Sequence, residues 1–157
     1  MVLDRIDRRL LRYLQQDCKQ TNKELSHKLD LSVTAVYERI KKLERTGIIK
    51  GYEAHINKDA VGLGFLAFCH IRLEKHAKET IGSFEKEVRK LNEVLECFHV
   101  SGEYDYLLKV VVKDMEHFRN FMVNKLTTIE HIGSTQSSFT INEVKNTTQL
   151  TLSDDAS

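Results

Sequence analysis

The chain has no proline and only seven glycines in 157 residues. Boundaries between modules therefore carry no proline punctuation and have to be read from periodicity. No run of about 18 apolar residues exists, so a membrane-spanning helix is not expected. Cysteines are few: Cys18, Cys69 and Cys97 are odd in number, widely spaced and form no CxxC. That excludes a disulfide framework and points to reduced thiols in a cytosol. The opening MVLDRIDRRL is charged and lacks an apolar stretch, so no secretory signal is expected. Catalytic signatures are also missing. There is no GxxxxGK(S/T) phosphate loop, no HExxH and no evident Ser/His/Asp set, so no enzyme and no cofactor are expected.

Hydrophobic residues make up 41% and charged residues 30%, as in a soluble globular protein. The net charge of +1 hides an asymmetry. Residues 1–52 hold 12 Lys+Arg against 7 Asp+Glu, and residues 53–157 hold 12 against 16. A basic first third on a mildly acidic remainder suggests two modules, the first meeting a polyanion.

The stretch Ser32 to Gly51 shows what that first module is for. Val33, Val36, Ile40, Leu43 and Gly47 step by 3, 4, 3, 4, the period of one buried helical stripe. The other side carries Thr34, Ala35, Glu38, Lys41, Lys42 and Arg45. Small and hydroxylic at its start and cationic towards its end, this is the layout of a helix entering a DNA major groove. Ser32, Thr34, Ala35 and Glu38 are assigned to base edges, and Arg39, Lys41, Lys42 and Arg45 to phosphates. An ordinary solvated helix face is the alternative. Upstream, Asp4 to Gln16 reads as a first helix, with Leu3, Ile6, Leu10 and Leu14 inward and Asp4 as its cap. Its outer Arg5, Arg8, Arg9 and Arg12 are at best secondary phosphate contacts. Thr21-Asn22-Lys23-Glu24 is a capping box that starts a short second helix, and Asp30-Leu31 turns the chain before Ser32 caps the third. The arrangement is a helix-turn-helix. Ile48 to Tyr52 reads as a short strand or wing.

Glu53 to Gly64 is the expected linker. Residues 65–142 then read as strand, helix, strand, strand, helix, strand, a βαββαβ order of ferredoxin-like type. Phe65–Leu73, Val94–Val100, Asp105–Val112 and Gly133–Ile141 are the strands. Ile81, Phe84, Val88 and Leu91 mark one helix; Met115, Phe118, Met122, Leu126 and Ile129, behind Asp114 as cap, mark the other. The first and third strands are apolar on both faces except for His70, Arg72 and Lys109. A second apolar face needs a second partner, and a second copy of the chain is the expected one. Residues 151–157 are expected to be disordered.

LDRIDRRLLRYLQQD, NKELSHKLDLS and VYERIKKLERTGIIKGY, with ECFHVSGEYDYLLKVVVKDM and INEVK further on, resemble the Lrp/AsnC regulators, also called feast/famine regulators. The resemblance covers about residues 3–150. It implies an α+β chain: a three-helix winged helix-turn-helix at 1–52, a linker at 53–64 and a ferredoxin-like (RAM) domain at 65–150. It also implies a cytoplasmic, nucleoid-associated transcription regulator that binds double-stranded DNA and a free amino acid. Its homodimers assemble further, to tetramers or octamers. One departure is that several relatives carry prolines after the Ser of the recognition helix, where this chain has Val33 and Ala35.

The turn Ser101-Gly102-Glu103-Tyr104-Asp105 can present successive backbone N–H groups to an anion. Thr135 and Ser137, two apart on a strand, share one face. From the residues alone this is either a cradle for the main-chain part of an amino acid or a glycine hairpin beside a hydroxyl-rich strand. The resemblance implies the former, with Ser101, Gly102, Tyr104, Asp105, Thr135 and Ser137 binding the effector near a contact between dimers. Met122 would contribute to side-chain selectivity.

Cys97 with His99, and Cys69 with His70, offer too few convergent ligands for a metal, and none is expected. Two rivals share the architecture. A DNA-compacting protein would lack a working effector pocket. An enzyme like the sirohaem decarboxylases would need His70, Arg72 and His99 around one large cavity.

Overall fold

The computed structural model describes residues 3–153. Two compact units emerge. One takes in the chain up to His55 together with the segment from Lys145, and the other runs Ile56–Val144.

The first unit is built on α1 (Arg5–Gln16), α2 (Asn22–Leu29) and α3 (Val33–Arg45). Each starts on a side chain suited to the free N–H groups of a helix's first turn. Asp4 and Asp7 form a capping box on α1, Thr21 and Glu24 form one on α2, and Ser32 caps α3. Asp30 closes α2 in the left-handed region at φ 55°, which a short polar side chain tolerates. Leu10, Leu11, Leu25, Leu29, Val36 and Leu43 form the core, with Leu31, Ile40 and Ile49 packed at its edge.

Three details differ from the sequence reading. Val33 belongs to the exposed side, 46% accessible, and lies outside the core of this unit. Ile48 to Tyr52 is not a strand. Gly47, at φ +72°, ends α3 in a Schellman turn, with Gly47 N–H on Glu44 O and Ile48 N–H on Leu43 O, both 3.0 Å. The chain then runs on without a partner strand among the described residues of this unit. Finally, residues 145–153 lie with the helices rather than with the sheet. Leu152 packs at the edge of the helical core. Leu150 N–H donates to Gln15 Oε1 at 2.6 Å, and Arg8 donates to Ser153 O at 3.4 Å. Of the tail expected to be disordered, Thr151–Ser153 are therefore seated on α1, and 154–157 lie outside the described residues.

The second unit is β1 (Phe65–Leu73), α4 (Lys78–Val88), β2 (Val94–His99), β3 (Tyr106–Val112), α5 (Met115–Asn124) and β4 (Ile132–Phe139). The strands form one antiparallel sheet in the order β2-β3-β1-β4, the ferredoxin-like arrangement. The helix expected to run through Ile129 breaks at Lys125, and Leu126–Thr128 form a single 3-10 turn instead.

Ala67, Cys69, Ile71 and Leu73 of β1, with Tyr106, Leu108, Val110 and Val112 of β3, pack on Phe84, Val88, Phe118, Phe121 and Leu126. Strand alternation sends Leu66, Phe68 and His70, with Leu107, Lys109 and Val111, to the opposite face. None of these belongs to the helix-covered core. Among the described residues no helix is long and apolar enough to cross a membrane.

Candidate DNA interface and effector site

The turn Asp30-Leu31-Ser32 sets α3 against α2, and Leu31 N–H on Ser26 O at 3.0 Å fixes the bend. Val36 and Leu43 anchor α3 with no accessible surface. Rotating outward from them gives two rows on the solvent side, Val33-Tyr37-Lys41 and Thr34-Glu38-Lys42-Arg45.

The residues assigned to base edges are not equivalent. Thr34 and Glu38 are exposed and Ala35 is half-buried. Ser32 is exposed, but its hydroxyl already accepts the Ala35 N–H at 3.1 Å. The cations differ more. Arg39, expected on a phosphate, turns back to the helix bundle. Its Nη1 donates to Asp7 at 2.6 Å and Asp4 at 2.7 Å, and Asp7 has a side chain only 2% exposed. Burial works against the charge on Arg39, yet the hydrogen bonds to both carboxylates raise its pKa. Burial also opposes ionisation of Asp4, but the Asp7 N–H and then Arg39 hold its pKa below its ordinary value. Arg39 is thus a bundle residue, because a buried carboxylate requires a partner.

Lys41 pairs with Glu44 at 2.8 Å. Glu44 also accepts from the Tyr52 hydroxyl, whose pKa is pushed up to about 12, first by burial and then by that carboxylate. Lys42 and Arg45 are exposed and have no ion pair among the described residues. On α1, Arg9 donates to Lys28 O at 2.9 Å, and Arg8 and Arg12 reach the carbonyls of Ser153 and Leu152. Those arginines are largely engaged inside the unit. Tyr37, 46% exposed on the outer side of α3, was not assigned a role from sequence. Its steps of three from Thr34 and four to Lys41 are the signal that marks its side.

In the second unit the β2–β3 turn is closed by Val100 N–H on Asp105 O at 2.8 Å, with Gly102 at φ +126°. The N–H groups of Ser101, Gly102 and Glu103 have no acceptor among the described residues. Arg72 grips the turn from β1, donating to Glu103 O from Nε at 2.9 Å and Nη2 at 2.6 Å. Asp105 accepts the Leu73 N–H at 2.7 Å and meets His76 Nε2 at 2.7 Å. Burial opposes its ionisation, but these two contacts win and hold its pKa below the ordinary carboxylate value. Its oxygens are therefore already engaged, not waiting for an ammonium.

The structure divides the expected effector residues. Tyr104 lies over the sheet face away from the helices, 5.1 Å from His70 between ring centroids, with its hydroxyl on Gln136. Thr135 and Ser137 point to the helix face, opposite Ile71 and Cys69, and the Ser137 hydroxyl sits 3.6 Å from the Cys69 sulfur. Met122 packs at the margin of the helix-side core. Ser101, Gly102 and Asp105 thus belong to the turn at the end of the sheet and Tyr104 to the face away from the helices, whereas Met122, Thr135 and Ser137 lie on the helix side. A separate cavity of about 410 Å³ between α4 and β2 is lined by Glu85, Arg89, Cys97, His99 and Tyr106 among others, and holds none of them. The Cys97 thiol there is pushed up to about 11, by desolvation and then by Glu85. His99 stacks on Tyr106 on that side, whereas His70 and Arg72 face the other way beside Tyr104. The three groups an enzyme of this architecture would need do not line one cavity.

Comparison with known proteins places both units. The family model of the Lrp/AsnC ligand binding domain matches residues 66–150, and that of a winged helix-turn-helix DNA-binding domain matches residues 3–50. The chain is 39% identical over 150 residues to the leucine-responsive regulatory proteins of Klebsiella pneumoniae and Escherichia coli (strain K12), covering 96% of this chain and 92% of those. A transcriptional regulator from Neisseria meningitidis, solved as an L-Met complex, is similar at a TM-score of 0.90 and 38% identity, over 95% of this chain and 96% of that one. An AsnC family transcriptional regulator from Agrobacterium tumefaciens is similar at a TM-score of 0.90 and 35% identity, over 95% and 97%.

Proposed function

The chain belongs to the Lrp/AsnC family of transcription regulators, and on that premise we propose that α3 reads operator DNA while the sheet unit binds a free amino acid that adjusts assembly or DNA affinity. The observation that carries the DNA assignment is α3 itself: a capped helix, anchored by Val36 and Leu43, that turns Thr34, Glu38, Lys42 and Arg45 to solvent. Thr34, Ala35 and Glu38 face base edges. Ser32 positions the first turn of the helix, and Lys41, Lys42 and Arg45 meet phosphates.

The effector assignment rests on the open N–H groups at Ser101, Gly102 and Glu103, which suit a carboxylate. The L-Met found with the Neisseria meningitidis relative supports an amino acid as the occupant. The separation of the turn residues from Met122, Thr135 and Ser137 fits a pocket completed by more than one protomer. A homodimer through the uncovered sheet face, assembling to a tetramer or octamer in the cytoplasm and on the nucleoid, would supply it.

A thermal-shift series against the twenty amino acids tests the effector half. A ligand bound only by the native state adds about 2.7 kcal/mol of stability at a hundredfold excess over its dissociation constant. One or a few amino acids, methionine and leucine among the candidates, should raise the melting temperature, and Gly102→Val should abolish the rise. No shift at millimolar concentrations removes the effector and leaves a DNA-compacting protein. The DNA half is tested by the salt dependence of duplex binding, where Lys42→Ala and Arg45→Ala should each lower the slope by about 1.

A further inference from the structure

Two large apolar side chains stand in the open on an otherwise polar helix face. Val33 and Tyr37 are each 46% exposed and one turn apart on α3, so they form a single apolar ridge. The ridge continues into Lys41, whose ammonium lies 5.8 Å from the centroid of the Tyr37 ring and 2.8 Å from Glu44. The Tyr37 ring thus has a lysine ammonium within cation–π reach at its end of the ridge. Its hydroxyl makes no hydrogen bond among the described residues. The neighbouring ridge, Thr34-Glu38-Lys42, is polar throughout. The helix therefore presents hydrogen-bonding groups along one line and hydrocarbon along the next.

Major-groove chemistry gives that hydrocarbon a specific counterpart. Guanine, cytosine and adenine show only donors and acceptors there, and thymine alone carries an apolar group, the C5 methyl. Placing Val33 and Tyr37 against a purine edge or a cytosine amino group would desolvate polar atoms without replacing their hydrogen bonds. Placing them against methyl groups buries carbon on carbon. We propose that Val33 and Tyr37 are specificity-determining residues that select thymine through its methyl group, on the half-site bases facing the N-terminal two turns of α3. The inference rests on the assignment of α3 as the DNA-reading helix and adds which base its apolar row prefers.

The test uses the full-length protein and an operator selected with it from a random duplex pool. Each thymine of the selected half-site is then replaced singly by deoxyuridine, which removes only the methyl. Affinity of the native protein should fall about fourfold at the contacted thymines, the transfer energy of one buried methyl. The same replacements should leave Tyr37→Ala almost unaffected at the Tyr37 contact and Val33→Ala at the Val33 contact. Tyr37→Phe should respond as the native protein does. Three results overturn the proposal: a native affinity indifferent to every deoxyuridine, a Tyr37→Ala variant that keeps the full response, or a Tyr37→Phe variant as weakened as Tyr37→Ala, which would make the hydroxyl the contact. Failure of the underlying DNA assignment looks different. No duplex, selected or random, would then be retained at low salt, and both readings fall together.

Discussion

Arg39 is held by two carboxylates, and that decides what its removal does. Asp7 is almost wholly buried and Arg39 supplies its counter-charge at 2.6 Å. In Arg39→Ala the carboxylate stays in the bundle with no cation beside it. The expected cost is roughly 2–3 kcal/mol, at or below the low end for breaking a buried pair because Arg39 keeps some contact with water. A denaturant melt reads it. The slope of DNA affinity against salt should barely move, in contrast to Lys42→Ala; a drop near 1 would return Arg39 to the phosphates.

Asp105 predicts a pH dependence at the same scale. Its pKa in the fold lies below its ordinary 3.8, so it binds a proton less readily folded than unfolded. Its contribution is present above pH 3.8 and is lost as the pH falls through the lower folded value. Asp105→Asn should be less stable than the native protein near neutrality and lose less between about pH 4 and pH 2. Parallel acid profiles would refute this. Neither contact was legible in the sequence. Asp4 announced itself as a cap, but its partner and Asp7's partner stand 35 and 32 residues away, and no local pattern reports such distances.

At the scale of elements, the ends of helices carry the local information. Thr21 and Glu24 spell a capping box in four letters, and the structure forms it. Ser32 likewise caps α3, so Ser32→Ala should cost about 1 kcal/mol of stability in the absence of DNA. A role confined to base contact would leave the melting curve where it was. One strand was legible to the residue from its apolar run, Phe65–Leu73, whereas the polar last strand, expected at 133–141, runs Ile132–Phe139.

What sequence could not supply was the consequence of packing. Val33 kept the helical period yet sits beyond the core's edge. The apolar row of α5 continues in phase past the point where Lys125 leaves helical geometry. The polar tail gave no sign that Leu152 reaches the helical core or that Gln15 brackets Leu150, accepting its N–H at 2.6 Å and donating to its carbonyl at 3.1 Å. A chain ending at Gln149 should lose about 1 kcal/mol, the worth of a half-buried leucine. Hydrogen exchange should then speed up in the C-terminal half of α1. Unchanged exchange there would mean the tail contributes no stability.

At the scale of the whole molecule, the sheet has one apolar face too many for a single chain. One side of β1 and β3 is closed by α4 and α5 through Phe84, Phe118 and Phe121. On the other side Leu66 and Val111 are buried, Phe68, His70 and Leu107 half-buried, and Phe98 is 49% exposed. This pattern was legible because a strand with water on one face alternates, and FLAFCHIRL and YLLKVVV do not. The effector residues were less so: Tyr104 over one face of the sheet and Thr135 and Ser137 on the other come from segments about thirty residues apart, and no local pattern joins them.

In the proposed homodimer a second copy packs face to face on this surface, and a two-fold axis relates two copies of α3. Half-sites then recur about 34 Å apart, and affinity depends on both. Introducing charge into this face separates assembly from folding. In the double variant Phe68→Glu/Leu107→Glu the helix-side core is untouched, so helical circular dichroism should persist. Sedimentation equilibrium at micromolar concentration should report monomers in place of dimers or their multiples. Operator affinity should fall towards that of a single half-site. A variant that still sediments as the native protein does would show that the copies meet elsewhere, and the apolar face of β1 and β3 would then need another cover.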